Sequence, residues 1–146
     1  MREILFRGKT EDGSRWVYGM PCATEQSGIY AIQTLQGGIF DTLPETIGQY
    51  TGLTDKNGKN GKKIFEGDCW LDTDDEYIVY VVEFRDGQFG FACYGWRGAL
   101  MPYGFDEDAG GWGEIEFEPM TNFIIENIEI IGNIHDNPEL LKGEQE

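Results

Sequence analysis

Two apolar runs, EYIVYVVEF at 76–84 and QFGFACY at 88–94, flank Arg85-Asp86-Gly87. This segment constrains the fold more than any other. Asp-Gly is a strong two-residue hairpin signal, because the turn that fits a twisted strand pair needs φ > 0 at both positions. Ile78, Tyr80, Val82 and Phe84 alternate onto one side of the first run, and Tyr77, Val79, Val81 and Glu83 onto the other. Both sides are largely apolar, so this strand is central in its sheet or faces a second layer.

The rest of the chain reads in the same idiom. Short β-like runs occur at 2–7 (REILFR), 15–20 (RWVYGM), 28–34 (GIYAIQT), Ile39-Phe40, 114–119 (EIEFEP) and 128–134 (IEIIGNI). Pro44 opens one helical turn, and residues 120–127 form a short helix. Residues 54–63 (TDKNGKNGKK) are a loop carrying Asn-Gly twice, and residues 95–113 are a long loop rich in Gly and aromatics. Gly48, Gly52 and Gly58 mark turns. Asn137 caps a closing short helix with Pro138 at its first position. With 40% hydrophobic residues among 146, the chain can build a packed core. The expected fold is mainly β, with a small SH3-like barrel in the C-terminal half and a short C-terminal helix. It comprises one domain over 1–146, with two packed β subdomains at 1–47 and 48–146 as the alternative.

Three segments in order resemble the YopX family of phage and prophage proteins: GQYTGLTDKNGK at 48–59, KIFEGD at 63–68 and IEIIGNIHDNPELL at 128–141. The start MREILFRGK followed by Trp16 fits the same family. The resemblance implies a small, mainly-β cytosolic protein encoded on phage or prophage DNA, and it supplies no catalytic residues to carry over. Two departures stand out. An extra Asn-Gly-Lys at 60–62 lengthens the loop before Ile64, and Cys69-Trp70 replace a pair such as Ile-Val after Glu-Gly-Asp. Read from the residues themselves, these segments are scaffold for strand entry.

Charge narrows the function classes. The formal net charge is −16, and residues 98–146 carry −11 of it, with Lys142 their only base. Phosphate backbones are bound through Lys and Arg, so a nucleic-acid contact is disfavoured, with the loop lysines 56, 59, 62 and 63 as the counter-argument. An acidic surface suits a basic partner or simply solubility. Cys22, Cys69 and Cys93 have no Cys-x-x-Cys spacing, so they are expected as free thiols, with Cys69 and Cys93 as small buried hydrophobes. His135 is the single histidine, and neither Ser14 nor Ser27 lies in a Gly-x-Ser-x-Gly elbow. No phosphate-cradling Gly-rich loop occurs. The acidic runs 72–76 and 106–108 lack the ligand frame of a calcium loop and read as solvated loops. No metal or other cofactor is expected. No apolar run approaches a membrane span, and the N-terminus lacks a signal peptide's apolar core, which points to the cytoplasm.

Two features suggest a binding surface. Glu114, Glu116 and Glu118 alternate on one strand, which places all three carboxylates on one face, with Ile115 and Phe117 on the other. The plainer role of that row is to keep an edge strand from pairing with other chains. Trp96, Arg97, Tyr103, Phe105 and Trp112 crowd one Gly-rich loop, and Trp, Tyr and Arg dominate interface hot spots. Burial of the same rings over the core is the competing role. The sequence therefore points to a non-catalytic accessory protein that binds another protein through Trp96, Arg97, Tyr103, Trp112, Glu114, Glu116 and Glu118. Direct nucleic-acid binding is the alternative, a metal-dependent enzyme comes third, and self-association is compatible with all three.

Overall fold

The computed structural model describes residues 3–23, 30–55, 61–71, 78–96, 99–102, 104–106, 112–120 and 128–141. Backbone contacts divide the chain into two compact units, Met1–Leu53 and Thr54–Glu146.

In the first unit the strands are β1 (Phe6–Lys9), β2 (Trp16–Ala23), β3 (Tyr30–Thr34), β4 (Ile39–Asp41) and β5 (Gly48–Thr54), all antiparallel neighbours in the order β4-β3-β2-β1-β5. Asp12 makes the β1–β2 turn. Its Oδ1 accepts from Thr10 Oγ1 at 2.7 Å, from Ser14 Oγ at 2.8 Å and from Ser14 N at 3.0 Å. These donors hold the exposed carboxyl down to about 2. Thr10 and Thr42 form an isolated bridge, and Glu11 N donates to Asp41 O, so the end of β4 returns to the turn after β1. Val17 and Ile32 fill the interior of this curl. Pro44–Thr46 is the expected helical turn, of 3-10 type. β5 was not expected as a strand. Gly48 begins it in extended backbone, and only Gly52 takes a positive φ.

The second unit contains β6 (Lys63–Phe65), β7 (Asp68–Leu71), β8 (Val79–Arg85), β9 (Gln88–Trp96), β10 (Ala99–Met101), β11 (Gly104–Asp106), β12 (Trp112–Pro119) and β13 (Gly132–Asn133). The Asp86-Gly87 hairpin is present, with φ of 51° and 82° and a register running from Val79↔Tyr94 to Arg85↔Gln88. β8 is central in a five-stranded sheet of order β12-β9-β8-β7-β13. Each of its faces carries a core, as its two apolar sides require. One face holds Cys69, Val79 and Val81; the other holds Trp70, Val82 and Phe91, with the Trp70 and Phe91 rings edge-on at 4.6 Å.

Three expectations need correction. Among the described residues there is no closed barrel: the five-stranded sheet is open, ending at β12 on one side and β13 on the other. The 95–113 loop is largely strand. β9 runs on to Trp96, which pairs with Trp112 at the start of β12, and β10 and β11 form a separate hairpin. Cross-strand pairing overrides the turn signal of the glycines there. The closing helix is a single 3-10 turn, Pro138–Leu141. The Asn137 side chain, expected as its cap, instead accepts from Asn133 N. The acidic residues 72–76 and 107–108, Ser27, the lysines at 56 and 59, and residues 121–127 of the expected 120–127 helix lie outside the described residues; Met120 itself is not helical.

Candidate functional site

Register determines which side chains of the acidic strand meet. Opposed residues in an antiparallel ladder share a face. Glu114 opposes Tyr94, but Glu116 opposes Cys93, so a β-bulge lies between them. Glu114 therefore points to the face of Tyr94, Glu83 and Arg85, whereas Glu116 and Glu118 point to the face of Phe91 and Cys93. The single row of three carboxylates expected from alternation does not form.

On the first face Arg85 lies between two acids. Its Nη1 donates to Glu114 Oε2 at 3.0 Å, and its Nη2 donates to Glu83 Oε1 at 3.0 Å, to Glu83 Oε2 at 3.1 Å and to Glu114 Oε1. The guanidinium carbon sits 4.8 Å from the Phe117 ring centre. Tyr94 Oη donates to Glu83 Oε2 at 3.2 Å. Glu114, then Glu83, hold Arg85 more firmly protonated than usual. Burial, then the Glu83 charge, push the Tyr94 phenol up to about 12. With its hydrogens committed, this cluster is suited to pinning β12 to the β8–β9 hairpin rather than to moving protons. A testable consequence follows for alkaline pH. Below pH 10 Tyr94 is protonated in both folded and unfolded chains; between 10 and 12 only the unfolded chain releases its proton, so stability falls as pH rises. Tyr94→Phe should flatten that fall, and absorbance at 295 nm should show one fewer late-titrating tyrosine than in the parent.

On the opposite face Glu116 and Glu118 are exposed across from Cys93 and Phe91, and the same face carries an aromatic pair, Phe84 and Phe89, whose ring centres are 5.0 Å apart. Phe84 is 52% exposed. Sequence reasoning did not single it out, although Phe84 ends an apolar strand next to the turn, where burial runs out. Glu83 and Arg85 were also passed over, despite their strand spacing of two. Of the expected surface residues, Trp112 is half-buried against the Cys69, Val79 and Val81 cluster, together with Tyr94 and Leu140. Arg97, Tyr103 and the side chain of Trp96 lie outside the described residues. Ile115, expected inward, is 45% exposed at the bulge.

The three motif segments supply β5 and, in the second unit, several turns and clamps. Asp55, 2% exposed, accepts from Lys62 N at 3.2 Å through Oδ1 and from Ile130 N at 3.4 Å through Oδ2. Asp68 Oδ2 accepts from Phe65 N at 2.8 Å and so fixes the tight turn into β7. Ile131 N donates to Cys69 O, and Ile134 N donates to Gly67 O. Asn133 Oδ1 caps the backbone of His135 and Asp136 at 3.0 and 2.9 Å. A β-carbon on Gly132 would lie 2.2 Å from Asn137 Oδ1, so only glycine admits that side chain. All three cysteines are free thiols, with Cys69 and Cys93 buried as expected. Among the described residues no group of three or more His, Cys, Asp or Glu is placed to hold a metal ion, and no helix is long and apolar enough to cross a membrane.

A search of curated proteins gave no match. The family model described as YopX protein matches residues 5–142, which takes in all three motif segments and both sheets. With nearly its whole length matched, and the matched motifs accounting for the turns and clamps of the second unit, the chain belongs to the YopX family.

Proposed function

We propose that the chain is a non-catalytic accessory protein of phage or prophage origin, acting in the cytoplasm of the host cell. It binds another protein along the outer strand of its second unit. The observation that supports this reading is the exposure, on one face of the sheet, of Glu116 and Glu118 on the edge strand β12 and of Phe84 near the turn end of β8. An aromatic anchor on the same face as edge-strand carboxylates suits a partner surface that is both apolar and basic. The bulge and the alternating glutamates also keep β12 from pairing with stray strands, so the binding occurs through side chains on the face rather than by strand addition.

The test uses a partner recovered by cross-linking to the parent chain. Changing Glu116 and Glu118 together to Gln should slow association by roughly three- to tenfold at low salt and flatten the salt dependence. Phe84→Ala should instead speed dissociation. Glu114→Gln serves as the contrast, since its carboxylate is committed to Arg85 and its loss should weaken folding more than association. Unchanged association rates and salt slopes for the double variant would remove the acidic strand from recognition.

A further inference from the structure

The first unit carries a second site of opposite character. Gly19 pairs with Thr34, so Trp16, Val17 and Tyr18 run on beyond the paired part of β3, alongside the turn at 35–38. Because β1, β2, β3 and β4 alternate in direction, the β1–β2 and β3–β4 turns lie at the same end of the sheet. Between them is an open cleft of about 400 Å³ lined by Arg15, Trp16, Tyr18, Leu35 and Phe40, among others. Leu35 is 83% exposed at the turn, and Tyr18 is 45% exposed on the strand.

The electrostatics of this cleft run against those of the chain. The protein carries −16, yet no acidic residue lines the cleft among the described residues, and Arg15 supplies a cation. The Arg15 guanidinium carbon sits 4.5 Å from the Phe40 ring centre. Glu11, Asp12 and Asp41 line an adjoining cleft that shares Arg15 and Phe40, but Arg15 makes no ion pair with any described residue. Asp12 is already held by Thr10 and Ser14. Stacking on a ring fixes the guanidinium plane and leaves its N–H edge free for a carboxylate, which it meets with two parallel hydrogen bonds. The volume accommodates one bulky side chain, and the apolar rim is what such a side chain would bury against.

We propose that this cleft binds a segment of another protein in which a large apolar residue stands next to an acidic one, the apolar side chain resting among Tyr18, Leu35 and Phe40 and the carboxylate on Arg15. The site does not depend on the acidic strand of the second unit and selects the opposite charge.

The test is by NMR on the uniformly ¹⁵N-labelled full chain. It is titrated with acetylated, amidated tetrapeptides whose two central positions carry Leu, Ile, Phe or Trp and whose flanks are Glu, with matched panels flanked by Gln and by Lys. Amide shifts should concentrate at residues 15–18 and 34–40 with the Glu-flanked peptides. Their affinity should exceed that of the Gln-flanked set at least tenfold, and the Lys-flanked set should be weaker still. Arg15→Gln should erase the preference for Glu over Gln while leaving the weak Gln-peptide binding in place; Leu35→Ser should weaken both sets alike. Both side chains are exposed, so the folded spectrum should persist in each variant. No response from any Glu-flanked peptide at millimolar concentration would overturn the proposal, as would equal affinity for Glu and Gln flanks. So would inorganic phosphate alone shifting the Arg15 signals as far as the peptides do, which would mark a plain anion site. Shifts at 15–18 and 34–40 that grow with protein concentration in the absence of peptide would assign the cleft to a second copy of the chain and would equally overturn it.

Discussion

Asp55→Ala should lower the stability of the second unit by about 2–4 kcal/mol, read from the urea midpoint at constant slope. The carboxylate is buried and accepts from two backbone amides distant from each other in sequence, those of Lys62 and Ile130. Removing it leaves the buried Ile130 N–H and the part-buried Lys62 N–H without this acceptor, and each such group costs about 1–3 kcal/mol. Asp55→Asn keeps the shape and one acceptor oxygen but turns an NH₂ toward an N–H donor, so it should recover only part of the loss. An Asp55→Ala chain within about 0.5 kcal/mol of the parent, the range of an ordinary surface change, would show that the carboxylate does not clamp these segments.

The largest effect belongs to Phe91→Ala, with an expected loss of about 3–5 kcal/mol. Phe91 is 1% exposed, lies on the central part of β9 and meets Trp70 edge-on. Truncation removes the ring's burial, breaks the aromatic pair and opens a cavity that strands on both sides prevent from collapsing. Against a domain's total of about 5–15 kcal/mol, that is enough to populate unfolded chains at moderate temperature. Phe84→Ala is the matched control: same residue type, same face of the sheet, yet half exposed. It should cost under about 1 kcal/mol of stability while affecting binding. Thermal unfolding of the two variants side by side separates packing from recognition.

Much of this fold was legible where local chemistry and pattern agree. Asp86-Gly87 between two alternating apolar runs admits one geometry, and Pro44 placed its helical turn correctly. The misreadings among the strands share a cause: each required knowledge of which strand lies alongside. Gly48 and Gly52 read as turns, yet Gly48 enters a strand because β1 offers its edge, with Arg7 opposite. The glycines at 95, 98, 104, 110, 111 and 113 read as loop, yet Trp96 and Trp112 are held opposite each other by a ladder extended from the β9–β12 core. The glutamate row failed most instructively. Perfect alternation in EIEFEP says nothing about whether the neighbouring strand keeps step, and a single unpaired residue turns Glu114 away from Glu116 and Glu118. Burial of Asp55 was equally hidden, since its partners come from segments that only the finished fold brings to it.

The pairing of β13 with β7 has a consequence in time. A ribosome makes β7, β8 and β9 in close succession, and a hairpin such as β8–β9 closes within microseconds. The outer edge of β7 must wait for Gly132 and Asn133, which, at about 5–20 residues per second, arrive several seconds later. Throughout that interval the nascent sheet presents a bare, mostly buried-type strand, DCWL, to the surrounding solvent, and the Asp55 carboxylate lacks one of its donors. A premature stop between 107 and 128 would make that interval permanent. Its product would keep the first unit and the β7–β8–β9 strands with an open, adhesive edge along β7, prone to aggregation rather than merely to reduced stability.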